Sequence, residues 1–225
     1  MQRKTNPLVL IRYPLMRRKT LNIAFSWFTI NLVYYGITYG IESFKVNVYI
    51  GIFLSGVSEI FAYLFTWFVL QKFGRRYTLA GTLVLGGIAC FINIWIPVSF
   101  VGLRTAVAMF GKFFIASAFA IVYVFSAELF PTDVRTIGVG ICSFCSCASG
   151  MLAPQVLFFG KLWTHLPLVT FSVMSVSAGL FALLLPETIN VPLPQTIEEA
   201  EMMTRNIIAR QQTQDGVHHL QPLKM

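Results

Sequence analysis

The stretch F-V-G-L-R-T-A-V-A-M-F-G-K-F-F-I-A-S-A-F-A-I-V-Y-V-F-S-A, residues 100–127, decides the fold class. It is apolar almost throughout and carries two charges, Arg104 near its start and Lys112 close to its middle. A helix of about 20 such residues crosses the hydrocarbon core of a bilayer. The stretch therefore predicts a membrane-spanning helix with one charge held deep inside it.

Five further apolar segments of spanning length accompany this stretch. The six predicted spans cover residues 21–40, 46–70, 77–96, 100–127, 136–160 and 166–185. The period-2 alternation of a membrane β-barrel is absent, and helices are the other way to satisfy a backbone in lipid. The sequence predicts an all-α membrane protein. Its three parts are a cytoplasmic segment 1–20, a six-helix transmembrane bundle 21–187, and a cytoplasmic tail 188–225 with an amphipathic helix at 196–210.

Composition agrees with a lipid environment. Charged residues make up 12% of the 225 residues and the mean hydropathy is +0.70, whereas soluble domains carry about 25% charged residues. The formal net charge of +8 would suggest nucleic acid as a partner of a soluble protein. Here the basic residues stand between apolar blocks, so we expect a lipid bilayer and no nucleic acid as partner.

Enzymatic chemistry finds little support in the sequence. It contains no Walker-type phosphate loop. Its cysteines lie inside apolar segments without a neighbouring histidine, which is typical of packing residues and not of a metal site. These cysteines are Cys90, Cys142, Cys145 and Cys147. We therefore predict no enzyme activity, no bound metal and no other cofactor.

The basic residues predict the orientation of the bundle. With the N-terminus inside, only Lys45 and Lys161 fall in outer loops. The inner segments then hold Arg3, Lys4, Arg12, Arg17, Arg18, Lys19, Lys72, Arg75, Arg76, Arg135, Arg205, Arg210 and Lys224. Lys and Arg accumulate on the cytoplasmic side of membrane proteins. Both termini are therefore expected in the cytoplasm.

Three residues at membrane depth are candidates for substrate binding: Tyr35, Glu59 and Lys112. A charge at the bilayer centre costs at least roughly 2.5–3.5 kcal/mol, so each charge should face a bundle interior or a watery cavity. The Tyr35 ring can stack on an organic solute or face a cation. The alternative stays open that Glu59 and Lys112 form a structural pair, that Lys112 extends along its stem to the interface, and that Tyr35 only packs.

A second group of charges is predicted at the cytoplasmic face, where it can form a gate. Opposite charges at helix ends can hold an intracellular gate shut and must remain breakable. The alternative is a set of solvated surface pairs worth about 0–1 kcal/mol each. The candidate residues are Arg75, Arg76, Glu128, Arg135 and Glu187.

Four motifs carry a resemblance to a known family. Q-K-F-G-R-R (71–76) resembles the loop motif D-R-x-G-R-R of the major facilitator superfamily. Y-V-F-S-A-E-L-F-P-T-D-V-R-T-I-G-V-G (123–140) is similar to the pattern Y-x-x-x-A-E-L-x-P-T-x-x-R-x-x-G-x-G of organic cation, carnitine and anion transporters. L-P-E-T-I-N-V-P-L-P-Q-T-I-E-E-A-E (185–201) and R-R-K-T-L-N-I-A-F-S-W-F (17–28) are similar to their last-helix end and seventh-helix start.

This resemblance implies a twelve-helix transporter with a substrate cavity between two bundles. The present chain would be the C-terminal six-helix bundle, built from two inverted three-helix repeats. It would be either a fragment, with the N-terminal six-helix half as its partner, or a half-length product. The implied activity is alternating-access transport of small organic ions across the plasma membrane. Tyr35, Glu59 and Lys112 would then face the cavity.

Two departures from the family pattern bear on the substrate. Gln71 stands where the loop motif usually has Asp, which weakens the charge network there. Cys147 stands where relatives carry an Arg or Asp that helps to set the sign of the substrate's charge. A neutral residue favours a small zwitterion, such as a carnitine-like solute, or an amine. The alternatives are a sugar transporter of the same superfamily and a non-transporting, half-length regulatory subunit.

Overall fold

A computed structural model describes residues 13–40, 48–97, 99–160, 162–163, 165–189, 194–195, 199 and 202. Six α-helices and no strand occur in this described part of the chain. They are α1 Pro14–Gly40, α2 Val48–Phe73, α3 Arg75–Trp95, α4 Val101–Leu129, α5 Arg135–Phe159 and α6 Leu166–Ala182. The predicted all-α class with six helices is confirmed. The predicted amphipathic helix at 196–210 lies largely outside the described residues.

Helix length and composition suit a membrane. The helices α2, α3, α4 and α5 are long and apolar enough to cross one, and α6 is a shorter apolar helix. The helix α1 begins at Pro14, earlier than the predicted residue 21. Proline is favoured at the first helical position because its missing N–H has no partner there anyway. The basic residues that follow Pro14 therefore belong to the helix, although they contribute nothing to its apolar span.

The helices α1 and α4 contact each other at the centre of the bundle. Around them α1 also packs against α5 and α6, and α4 against α2 and α3, while α3 packs along α6. This pattern is unchanged when α1, α2 and α3 are exchanged for α4, α5 and α6, as two three-helix repeats require. The helices α2 and α5 lie at the periphery and bury few residues.

Polar side chains connect the helices inside the bundle. The Trp27 indole N–H donates to the Ser126 hydroxyl over 2.8 Å and joins α1 to α4. The Asn31 amide donates to the backbone carbonyl of Ser146 over 2.5 Å and joins α1 to α5. Hydrogen bonds of this kind fix helix pairs where no water competes. They hold α1, which carries Tyr34 and Tyr35, against its neighbours.

Small residues bring α3 and α6 close together. A Cβ atom placed on Gly87 would lie 3.1 Å from the backbone oxygen of Ser172, and one on Gly179 would lie 3.0 Å from that of Ala80. Glycine at such positions lets membrane helices approach backbone to backbone. The helices α3 and α6 are thus closely packed against each other.

Candidate functional site

Lys112 lies at the centre of a buried polar cluster. Its side chain is 1% exposed, and its ammonium nitrogen lies 3.1 Å from a Glu59 carboxylate oxygen. The ammonium also donates to the Thr38 hydroxyl over 2.9 Å and to the Ser55 hydroxyl. A lysine has three N–H donors, so these three oxygens satisfy the ammonium completely. The Tyr34 ring covers it, with 4.7 Å between Nζ and the ring centroid.

Glu59 is the more accessible member of the pair. It lies on α2, its side chain is 22% exposed, and the carboxylate oxygen that faces Lys112 also accepts the Tyr34 hydroxyl over 2.8 Å. The structure thus brings Glu59 and Lys112 into direct contact. Because each neutralises the other, the cluster carries no net charge at membrane depth, as the structural-pair interpretation requires.

The cluster contains three residues that the sequence analysis did not select. Tyr34, Thr38 and Ser55 supply hydroxyl groups to the two charges. Helical spacing contained the signal: Ser55 lies four residues before Glu59, and Thr38 four residues after Tyr34. Residues four apart share a helix face, so a search for hydroxyls on the faces of Tyr34 and Glu59 would have found them.

Tyr35 reaches the cluster through its neighbour. Its ring stacks on Tyr39, with 5.6 Å between centroids, and meets Tyr34 edge-on at 5.5 Å. It also packs close to Gly150 of α5. The described ring contacts of Tyr35 therefore run along α1, and Tyr34 stands between it and the ion pair.

A cavity of about 610 Å³ opens between α1, α3, α4, α5 and α6. Its polar wall is formed by Asn93 and Arg104, which share two hydrogen bonds. Within the described lining, Gly36 and Gly111 come next to the polar cluster along the chain, whereas Tyr35, Glu59 and Lys112 themselves do not line the cavity. The bundle thus has room for a solute beside the ion pair.

Arg75 and Glu128 form an ion pair at the end of the bundle predicted to be cytoplasmic. The guanidinium donates twice to one carboxylate oxygen, over 2.9 and 3.1 Å, and the two side chains are 24% and 21% exposed. The second carboxylate oxygen accepts the Thr188 hydroxyl over 2.6 Å. Thr188 was not among the predicted residues, although it directly follows Glu187.

Glu187 caps the first turn of α3. Its carboxylate oxygens accept the backbone N–H groups of Arg75 over 2.9 Å and Arg76 over 3.1 Å. A negative charge at a helix N-terminus is favourable because it meets unpaired N–H groups and the positive end of the helix dipole. Gly74 makes the approach possible: its φ is +82°, and a Cβ there would lie 2.9 Å from the carboxylate.

Arg135 stands apart from the Arg75–Glu128 pair. Its Nε and Nη2 are buried and have no hydrogen-bond partner among the described residues. The Arg76 side chain lies over the Tyr77 ring, 5.3 Å from its centroid. The structure therefore brings together the side chains of Arg75, Glu128 and Glu187, adds Arg76 through its backbone, and leaves the Arg135 side chain outside the network.

Four of the described helices are long and apolar enough to cross a membrane, and the bundle encloses the Lys112–Glu59 pair, as expected of an integral membrane protein. The chain matches the model of the sugar (and other) transporter family over residues 3–200. It belongs to this family, which is part of the major facilitator superfamily.

Several relatives are named as organic cation transporters or solute carriers. An organic cation transporter protein of Drosophila melanogaster is 40% identical over 92% of this chain and 38% of its own length. Organic cation transporter 1 of Caenorhabditis elegans is 38% identical over 89% of this chain and 34% of its own. Solute carrier family 22 member 6-B of Xenopus laevis is 38% identical over 86% of this chain and 35% of its own length. The chain thus spans little more than a third of each relative.

Proposed function

We propose that this chain takes part in the transport of small organic cations or zwitterions across the plasma membrane, as the C-terminal bundle of an alternating-access transporter. The observation that carries the proposal is the Lys112–Glu59 pair, a charge cluster kept inside a membrane bundle at considerable cost. The organic cation transporters among its relatives support the solute class. The distribution of basic residues supports cytoplasmic termini.

The ion pair suggests how such a solute binds. An incoming ammonium group takes the place of the Lys112 ammonium at Glu59, which is the accessible partner. Lys112 loses only its contact with Glu59 and keeps its hydrogen bonds to the Thr38 and Ser55 hydroxyls. A zwitterion also supplies a carboxylate to Lys112, so neither protein charge is left unpaired. Breaking a buried pair without such replacement costs about 3–5 kcal/mol.

Aromatic rings complete the proposed site. The Tyr34 face already covers the Lys112 ammonium at 4.7 Å, and ring faces attract organic cations equally well. The stacked rings of Tyr35 and Tyr39 continue this surface toward the cavity. Tyr35, Glu59 and Lys112 together then bind the solute. The Tyr34 ring contacts the Lys112 ammonium in the absence of solute and the solute cation in its presence.

The charge network serves as the proposed cytoplasmic gate. Partly exposed pairs such as Arg75–Glu128 contribute about 0–1 kcal/mol, which suits a contact that must open in every cycle. Glu187 holds the end of α6 against α3 through Arg75 and Arg76. Arg135 offers buried donors to an acidic group outside the described residues, such as one on the N-terminal half.

Uptake of labelled solutes tests the proposal. Cells that express the complete product of the native coding region are supplied with choline, carnitine or glucose. We expect uptake of choline or carnitine, and a raised KM in Glu59→Gln. Asp133→Asn is the matched control, since Asp133 is an exposed acidic residue in the connection between α4 and α5.

Two other results would replace the proposal. Uptake of glucose alone would assign a sugar transporter, which the family's name also covers. Absence of uptake, combined with altered activity of a co-expressed transporter, would assign a regulatory subunit.

A further inference from the structure

A second cavity lies at the opposite end of the bundle from Asn93 and Arg104. It measures about 780 Å³ and opens between the start of α1, the end of α6 and Arg76. Three basic side chains, Arg18, Lys19 and Arg76, line it together with Asn22, and the remaining described lining is apolar without an acidic residue. The lining of this cavity therefore suits an anionic group that carries an apolar portion.

Two polar atoms in the lining lack partners within the described residues. They are Nε of Arg76, a donor, and Oδ1 of Asn22, an acceptor, and both are buried. Asn22 uses its amide nitrogen on the Phe181 carbonyl over 2.6 Å, which fixes its orientation. Buried polar groups in folded proteins are nearly always hydrogen-bonded. A ligand that satisfies both atoms must carry an anionic acceptor beside a hydroxyl or ammonium donor.

Glu187 does not satisfy the Arg76 side chain. Both of its carboxylate oxygens accept backbone N–H groups, those of Arg75 and Arg76. The Arg76 guanidinium consequently keeps its charge on the cavity side, stacked beside Tyr77. Arg18 adds a second guanidinium, and guanidinium groups bind phosphate oxygens in a planar, two-pronged geometry.

The apolar rim continues from the cavity onto the outside of the bundle. Leu21 is 65% exposed, Leu184 is 75% exposed and Phe181 is 48% exposed. On a chain that spans a bilayer, side chains in this position face acyl chains. Basic pockets between transmembrane helices on the cytoplasmic side bind phosphorylated lipid headgroups. The basic side chains, the unpaired polar atoms and the apolar rim together therefore favour one amphiphilic ligand over a soluble anion.

We propose that this cavity binds an inositol phospholipid of the cytoplasmic leaflet. Its phosphates contact Arg18 and Arg76, an inositol hydroxyl donates to Asn22, and its acyl chains lie on Leu21 and Leu184. The assignment to the cytoplasmic leaflet rests on the orientation proposed above. Binding is independent of the transported solute, so the site can be tested without a transport assay.

Fluorescence anisotropy on the purified chain in detergent tests the site with labelled dioctanoyl phosphatidylinositol 4,5-bisphosphate. Arg18→Gln combined with Arg76→Gln should weaken binding about 25-fold, at about fivefold for each arginine. The matched control is Arg17→Gln combined with Lys72→Gln. Both control residues are exposed basic groups predicted at the same membrane face, and neither lines the cavity. The control should stay within about twofold of the unmodified chain.

Three further measurements distinguish a bound lipid from a soluble anion and from loss of the fold. Soluble inositol trisphosphate should fail to displace the lipid at equal concentration, and Leu184→Gln should weaken lipid binding about tenfold. If the double Gln variant unfolds, Arg18→Lys with Arg76→Lys should still bind. Equal losses in the control pair, displacement by the soluble headgroup, or full binding by the double Gln or Leu184→Gln variant would each overturn the proposal.

Discussion

Lys112 and Glu59 approach to 3.1 Å across α4 and α2, yet their surroundings differ: Lys112 is 1% exposed and Glu59 is 22% exposed. Loss of the carboxylate leaves a buried ammonium without its counter-charge. Loss of the ammonium leaves a carboxylate that still accepts the Tyr34 hydroxyl and reaches the surface. The two partners are therefore unequal, and mutations at the two positions should differ in their cost.

We expect Glu59→Gln to destabilise the bundle more than Lys112→Met. Removing one member of a buried pair typically costs about 3–5 kcal/mol, and the sealed position of Lys112 puts Glu59→Gln at the upper end of this range. The double variant should recover much of the loss, since no charge remains unpaired. Thermal unfolding of the purified chain in detergent measures all three.

Lys72→Met is the control for this series, because it removes a charge from the exposed end of α2. Its melting temperature should stay close to that of the unmodified chain. An unchanged melting temperature for Glu59→Gln would contradict the structural role of the pair. Glu59 would then serve solute binding alone.

Glu128→Gln should reduce transport while leaving the fold almost unchanged. The Arg75–Glu128 pair is partly exposed, so its loss should cost no more than about 1 kcal/mol of stability. It should nevertheless shift the balance between open and closed states. Uptake should fall at unchanged surface level, both measured in cells that express the complete coding region. Equal uptake by Glu128→Gln and Asp133→Asn would rule out a gating role for this pair.

Gly74→Ala should destabilise the junction of α2 and α3. At Gly74 the backbone has φ 82° and ψ 176°, a region essentially restricted to glycine, where another residue costs about 1–3 kcal/mol. The new Cβ would also push the Glu187 carboxylate away from the N–H groups that it caps. Gly81→Ala on the same helix meets open space and replaces a poor helix former with a good one. Unfolding midpoints should therefore move in opposite directions, and a common direction would contradict the capping geometry.

Gly87→Ala should separate α3 from α6. Its Cβ would lie 2.8 Å from a Val176 methyl group and 3.1 Å from the Ser172 carbonyl, and the carbonyl belongs to helix backbone that cannot move aside. Overpacking of this kind costs about 1–3 kcal/mol. Gly56→Ala on the exposed face of α2 meets nothing within 4 Å and serves as the matched control in the same melting experiment.

An epitope tag placed after Met225 should be inaccessible to antibody on intact cells and accessible after permeabilisation. The reason is the excess of Lys and Arg on the side of both termini. Labelling of intact cells would show that the orientation is the reverse. The Arg75–Glu128 pair and the lipid cavity would then lie on the extracellular side.

Apolar runs were sufficient to locate all six helices, because about 20 apolar residues in a row have few other uses. The largest boundary difference is the start of α1, where basic residues after Pro14 are helical without being apolar. Hydropathy detects the part of a helix that lies in lipid and is insensitive to turns that emerge from it. The same limit explains why α4 runs past Ala127 to Leu129.

The sequence identified the charges of the candidate site but not their partners. Glu59 and Lys112 stood out because charges at membrane depth are rare, whereas their contact depends on how α2 packs on α4. The sequence analysis placed Glu128 and Arg135 in one group of charges without assigning pairs. The structure pairs Glu128 with Arg75, since the α2–α3 junction and the segment after α6 meet at the end of α4.

The cap that Glu187 places on α3 also sets an order of events during synthesis. Its carboxylate follows Arg75 by 112 residues along the chain, and domains begin to form from the N-terminal side while translation continues. The first turn of α3 therefore exists for some time with water or lipid headgroups on its N–H groups. The glutamate that replaces them lies in the segment after α6, so this face of the bundle is completed only after residue 187 has been synthesised.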